Sequence, residues 1–371
     1  MALANGLSMD ESRMLDPRWK FLSDLIDLNN QKGLEIGALT SPVVQNKDIN
    51  GGGKGFYLDH LSSEELKVKY ELDESINVDD IVSVDYVCSD GDLLQVLDKN
   101  SFDYVIGSHI IEHVPNMIKF LSDVFEVLRP GGICFLVIPD KRFTFDYKRP
   151  LTTFGELLEA HFLGRKRPSI AAVYDHFSTA ISVDTNDVWT GKFDLRKSEK
   201  LVPNSFAWNA ANRVRTDDAY LDVHVNIFTP ANFFDILNSI VSFELVELAV
   251  ERFADTEIGK LEFMVALRKP VSVAPSTNKE MCLASIPKME FESFMSPFMP
   301  QVKALSAALD KTTEVAYGLQ QELEKLRDTI ERQKEERDII LEQLSIAQKV
   351  LDRKSVKIVT GLLHKTFGFF R

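Results

Sequence analysis

A chain of 371 residues with 44% apolar side chains can bury a sizeable core and is long enough for two domains, or for one domain with an appendage. Its 56 acidic against 43 basic residues give a net charge of −13, which argues against nucleic acid as a partner, since phosphate binding rests on clustered Lys and Arg. Cys88, Cys134 and Cys282 are widely separated and read as reduced core residues, no secretory leader is evident, and no run reaches the ~18 apolar residues of a membrane span, so a cytoplasmic protein is expected.

In chain order, Asp16-Pro17 opens a helix whose apolar face runs through Trp19, Phe21, Leu22, Leu25, Ile26 and Leu28. Gly33-Leu34-Glu35-Ile36-Gly37 follows as a buried strand ending on an acid and a glycine, and Phe56-Tyr57-Leu58 is a second strand ending on Asp59. The Gly51-Gly52-Gly53 loop between them reads as slack. Ser62 to Glu65 starts a helix running to Tyr70, and Ile81–Cys88 is a third strand closed by the turn Ser89-Asp90-Gly91-Asp92. Phe102–Gly107 is a fourth strand, Asn116–Leu128 an amphipathic helix stopped by Arg129-Pro130-Gly131-Gly132, and Ile133–Ile138 a fifth strand. Such alternation predicts an α/β fold with a parallel sheet covered on both faces. Ligands of such sheets lie at the carboxyl ends of the strands, where a glycine lets backbone approach and an acid suits ribose hydroxyls.

Residues 141–228 are too long for an ordinary connection and read as a cap inserted over the crevice. With 13 Lys or Arg against 11 Asp or Glu, the cap is mildly basic in an acidic chain, which suits an anionic or hydroxyl-rich substrate as well as plain solvation. His224, near its end, reads either as structural or as reaching the pocket. Thr229-Pro230 then starts a helix with Phe233, Phe234, Ile236, Leu237 and Ile240 on its apolar face, before a strand pair at Phe243–Arg252 and Leu261–Leu267. Residues 270–300, with five prolines, read as a linker. From Val302 to Leu351 an unbroken seven-residue repeat predicts a coiled coil about 75 Å long, through which the chain self-associates or takes a partner helix; Gln333 and Arg337 are polar at its core positions. The tail from Arg353 mixes five basic residues with apolar ones and no acid, which suits a partner groove or an anionic membrane surface, the latter placing the chain at the periphery of the inner membrane.

The stretches FDYVIGSHIIEHV and VLRPGGICFLVIPD, with a helix between them, resemble the fourth and fifth strand region of class I S-adenosylmethionine-dependent methyltransferases of the type 11-like group. The resemblance covers roughly residues 15–140 and 225–269. It implies a seven-stranded Rossmann-like sheet over residues 1–269 with the cap at 141–228, ahead of a 270–300 linker, a 301–352 coiled coil and a 353–371 basic amphipathic tail. It also implies S-adenosyl-L-methionine as cofactor, with Glu35 and Gly37 at the loop for its methionine and ribose parts and Asp59 on the ribose hydroxyls. Asp90, or else Asp85, falls near the adenine amine, and Ser108 and His109 face the methionine end and the substrate. The second and third glycines of the usual loop are absent here. The reaction implied is methyl transfer to an oxygen or nitrogen of a small-molecule or glycan acceptor, of the kind found in bacterial surface-polysaccharide assembly. His109 is the first expectation for a base, followed by His176 and Asp146. The alternative is a scaffold whose head has lost catalysis and which acts through its coiled coil.

His109-Ile110-Ile111-Glu112-His113 also fits H-x-x-E-H, which in one group of zinc proteases pairs two metal-binding histidines with a carboxylate on a helix. Here the motif begins at a strand's end inside an α/β pattern, so no metal is expected, and His113 reads as hydrogen-bonded within the turn.

Overall fold

Seven strands, β1 (Lys32–Ile36), β2 (Lys54–Asp59), β3 (Tyr86–Val87), β4 (Phe102–Ser108), β5 (Leu128–Pro139), β6 (Ala249–Ala254) and β7 (Glu262–Arg268), form one sheet in the order β3-β2-β1-β4-β5-β7-β6. Neighbours are parallel except around β7, which runs antiparallel to β5 and β6. The computed structural model describes residues 16–49, 51–217, 220–271 and 275–289; the heptad repeat and the basic tail lie outside them.

The central strands read as continuous apolar runs because both of their faces are covered. On one face Val105, Cys134, Leu136, Phe263 and Val265 pack with Leu121 and Val124, while on the other Tyr104, Ile106, Phe135, Val137 and Met264 pack with Phe21 and Leu22. Those last two sit on α1 (Pro17–Ser23), which Asp16 caps by accepting the Arg18 N–H; the helix stops at Ser23, earlier than its apolar spacing suggests. Ser62 and Glu65 close a capping box at the start of α2 (Ser63–Tyr70), and Asn116 caps α3 (Met117–Val127).

Other expected elements differ, and β5 starts at Leu128 rather than Ile133. The third strand shrinks to Tyr86–Val87 because the amides before it are taken elsewhere: Val82 N–H by the Leu39 carbonyl and Val84 N–H by the Ser63 hydroxyl. The Gly51-Gly52-Gly53 loop is packed rather than slack, since a Cβ on Gly53 would stand 1.9 Å from the Leu28 carbonyl oxygen. The first part of the expected linker folds as a helix, residues 275–285, described with the other helices below.

Between β5 and the return of the chain lie α4 (Phe154–Phe162), α5 (Ile170–Thr179), α6 (Thr185–Trp189) and α7 (Asn204–Asp217). The excursion starts and ends at one place: Asp140 and Phe228 form a parallel bridge, and Lys141 N–H donates to the Phe228 carbonyl at 3.0 Å. Thr229 then caps α8 (Pro230–Ser242), which buries Phe233, Phe234, Ile236, Leu237 and Ile240; β6 begins at Ala249 rather than Phe243. In α9 (Pro275–Ser285) the prolines bracket the helix instead of preventing it, Pro275 opening it and Pro287 following it. Cys282 and Ile286 are buried in the main core, and Ser285 Oγ accepts the Val250 N–H at 2.8 Å.

Candidate active site

The register places Gly37, Asp59, the turn holding Asp90, and Ser108 at the carboxyl edge of β1, β2, β3 and β4 respectively, where strand order reverses between β1 and β4. This is the crevice that open parallel sheets offer to a nucleotide-like ligand.

Glu35 is 2% exposed, and its two carboxylate oxygens accept the N–H groups of Val43 and Val44 at 2.7 and 3.0 Å. It anchors the loop after β1, so any part it plays in holding a ligand runs through that loop. Gly37 has φ +67°, and a Cβ on it would come within 2.2 Å of Ile110 Cδ1, so the close approach that glycine allows is made to Ile110. Asp59 is 8% exposed at the end of β2, and both contacts from His60, its N–H at 2.7 Å and Nδ1 at 2.5 Å, fall on Oδ1. Asp90 carries Lys166 of the cap at 2.9 Å, which holds its carboxyl below the ordinary range, while Asp85 accepts the Tyr57 N–H at 2.8 Å and is structural. Ser108 is half-buried and pairs with Val137. Asp59, Asp90 and Ser108 thus lie along one edge, and Ile110 covers Gly37.

Cap residues close over this edge. Asn226 Nδ2 donates to the Ile111 and Val114 carbonyls at 2.9 and 2.8 Å, and the Val225 and Asn226 N–H groups donate to the Glu112 carbonyl at 2.6 and 3.0 Å. Tyr220 lies tilted beside His60 with ring centroids 6.4 Å apart, and Asp222 lies 2.8 Å from His113 Nδ1. The pull of His113 takes Asp222 down to about 2.

Each of the three expected bases is engaged by a neighbour in this structure. His109, at φ +53°, turns Nε2 onto Glu262 at 2.7 Å. Burial works against its charge, but Glu262 and the nearby Glu112 outweigh burial and raise His109 to about 9, so near neutral pH it is a cation without a lone pair to offer. His176 accepts the His224 N–H on Nδ1 at 3.1 Å, leaving Nε2 protonated, and burial followed by His224 lowers it to about 4. Asp146 is 2% exposed and spends its oxygens on His224 Nδ1 at 2.5 Å and on Arg149 at 3.4 Å. It orients a histidine rather than meeting an acceptor.

What the sequence reading missed is a second cluster beside this edge. Glu112, 1% exposed, has neither carboxylate oxygen in a hydrogen bond, and ligating atoms of Glu112, His113 and His224 lie within 4.8 Å of one another. Glu112, His224, Asp146, Lys141 and Thr144 line a crevice there. H-x-x-E-H pointed at this neighbourhood but named His109, whose Nε2 is taken by Glu262, and nothing in the spacing announces His224.

Residues 50–136, from just before β2 into β5, match a family described as a methyltransferase domain. Over 56 residues the chain is 45% identical to a probable S-adenosylmethionine-dependent methyltransferase of Mycolicibacterium smegmatis, covering 15% of this chain and 21% of that protein. Over 55 residues it is 34% identical to a ubiquinone biosynthesis O-methyltransferase of Parvibaculum lavamentivorans, again covering 15% of this chain and 21% of that one. The chain therefore spans about a fifth of the length of these relatives. Among solved structures, an S-adenosylmethionine-dependent methyltransferase from Mesorhizobium loti overlays 70% of this chain and all of its own, with 11% identity and a TM-score of 0.36. The seven-stranded mixed sheet fits the Rossmann-like methyltransferase arrangement, and S-adenosylmethionine is the cofactor that the matched domain implies. Among the described residues no helix is long and apolar enough to cross a membrane.

Proposed function

We propose that this chain transfers the methyl group of S-adenosylmethionine to an oxygen or nitrogen of a small-molecule or glycan acceptor. The observation that carries this is the methyltransferase match over residues 50–136, which falls on the strands whose carboxyl edge collects Asp59, the Asp90 turn and Ser108. S-adenosylmethionine supplies an electrophilic methyl on a sulfonium, so the protein's work is mainly positioning. Asp59 binds the ribose hydroxyls, Ser108 stands at the methionine end, and Ile110 must rotate from Gly37 for the loop backbone to be reached. The cap, drawn onto the edge by Asn226 and Asp222, excludes water and shapes the acceptor pocket. Bacterial surface-polysaccharide assembly as the setting, with residues 302–351 as a docking arm and the tail on a protein or lipid surface, rests on the sequence resemblance and the heptads.

Calorimetric titration with S-adenosylmethionine tests the reading. Micromolar affinity that disappears in Asp59→Ala supports it. No heat at millimolar ligand supports the alternative, a non-catalytic head acting through its coiled coil, which the covering of Gly37 by Ile110 favours.

A further inference from the structure

A carboxylate that is 1% exposed with both oxygens outside any hydrogen bond is costly unless something cationic completes it. Glu112 is that carboxylate. His109 Nδ1 approaches it to 3.4 Å and His113 Nε2 to 4.0 Å, neither in hydrogen-bonding geometry.

The two histidines beside it share one arrangement. His224 bonds Asp146 through Nδ1 at 2.5 Å, and His113 brings Nδ1 within 2.8 Å of Asp222 without hydrogen-bond geometry, so in each ring Nδ1 faces a carboxylate and Nε2 is left for another partner. The rings meet edge to face at 4.8 Å. An imidazole whose Nδ1 faces a carboxylate while Nε2 faces a shared centre is the outer shell by which proteins hold metal-binding histidines in one tautomer and raise their basicity. Here His224 makes it in full and His113 in position, around a buried acid whose nearest cation, His109 Nδ1 at 3.4 Å, stands outside hydrogen-bonding geometry.

We propose that Glu112, His113 and His224 form a binding site for a divalent zinc-class cation, with Asp146 and Asp222 orienting the two histidines. Two imidazoles and one carboxylate suit zinc, and three protein ligands leave a fourth position open. Zinc bonded at about 2.0–2.2 Å needs its ligand atoms roughly 3.3 Å apart. The present spread of up to 4.8 Å must therefore close by about 1.5 Å, to which the Glu112 carboxylate, outside any hydrogen bond, can contribute. His109 takes no part, because its Nε2 belongs to Glu262. Thr144 and Lys141 rim the same crevice as Glu112 and His224, which is closed to water here and has to widen before an acceptor hydroxyl reaches the open position. Zinc would acidify such a hydroxyl. That role rests on the methyltransferase reading; the binding of metal does not.

The test uses the full-length, untagged chain stripped with chelator and titrated with zinc chloride, read by calorimetry and by bound metal per chain after gel filtration. One zinc per chain is expected, with affinity at least 100-fold weaker in Glu112→Gln and in His224→Gln, and 10- to 100-fold weaker in Asp146→Asn. His109→Gln retains the wild-type stoichiometry. Absence of zinc binding by the wild-type chain overturns the site, as does binding that survives Glu112→Gln and His224→Gln in chains of native far-ultraviolet circular dichroism. Equal loss in His109→Gln overturns the assignment of ligands. If either glutamine variant fails to fold, Asp146→Asn and Asp222→Asn decide: unchanged affinity in both refutes the proposal. Zinc bound by a chain that gives no heat with S-adenosylmethionine upholds the site and refutes the methyltransferase reading, so the two fail separately.

Discussion

His109 and Glu262 meet at 2.7 Å across the sheet, joining the residue after β4 to the first residue of β7. Arg18, at the start of α1, binds the same carboxylate through Nε at 2.7 Å and Nη2 at 2.6 Å. One acid thereby ties an N-terminal helix, a central strand end and the antiparallel strand together.

This triad sets a pH window. Burial opposes the Glu262 charge, but its two cationic partners bring it to about 2 from 4.5, so its contribution is full above 4.5 and is lost as pH falls toward 2. His109, raised to about 9 from 6.5, contributes fully below 6.5 and loses its contribution as pH rises through 9. In the metal-free chain Glu262→Gln is predicted to lower stability by about 2–3 kcal/mol between those limits and to flatten the pH profile. Urea midpoints measured across the range check it; an unchanged profile would show that the triad contributes nothing.

Removing the Glu35 carboxylate leaves the Val43 and Val44 amides unsatisfied beneath the first loop. Glu35→Ala is expected to cost about 3 kcal/mol, and Glu35→Gln less, because an amide oxygen still accepts one bond. Faster amide exchange at Val43 and Val44, seen by mass spectrometry, is the local signature.

Two glycines should respond differently to alanine. At Gly37 the obstacle is Ile110 Cδ1, a side-chain end that can swing away, so Gly37→Ala is predicted to lose about 1–2 kcal/mol and to recover part of it in combination with Ile110→Ala. The Gly53 obstacle is the Leu28 carbonyl, which cannot move alone, so Gly53→Ala should cost more, about 3 kcal/mol or above. Thermal unfolding of the three variants ranks them, and equal losses would contradict the packing described.

Asn226 is 3% exposed and donates to two carbonyls of the segment after β4. Asn226→Ala should destabilise by about 1–3 kcal/mol and raise exchange at residues 111–114 and 220–226 more than in the sheet. Uniform exchange throughout would mean that this side chain does not hold the cap.

The sheet was largely readable from sequence because burial on both faces writes itself as apolar runs at β1, β2, β4 and β5, and because Ser62, Asn116 and Thr229 are capping residues beside apolar spacing. Ile81–Asp85 misled, since an apolar run says nothing of where its amides bond. The carboxyl-edge acids could be placed in order, but not their partners: that Glu35 spends itself on backbone and that His109 is held as a cation depend on Val43, Val44 and Glu262, which only folding brings near. Glu112 was the least legible. Its meaning comes from His224, Asp146 and Asp222, contributed by a part of the chain with no periodicity linking it to the fourth strand.

Because Asp140 and Phe228 lie bonded side by side, the helical excursion leaves the sheet and rejoins it at a single doorway. Exchanging everything between those two residues would not ask β4, β5 or β7 to change a single ladder bond. A foreign excursion grafted at this doorway would thus inherit a sheet already closed beneath it.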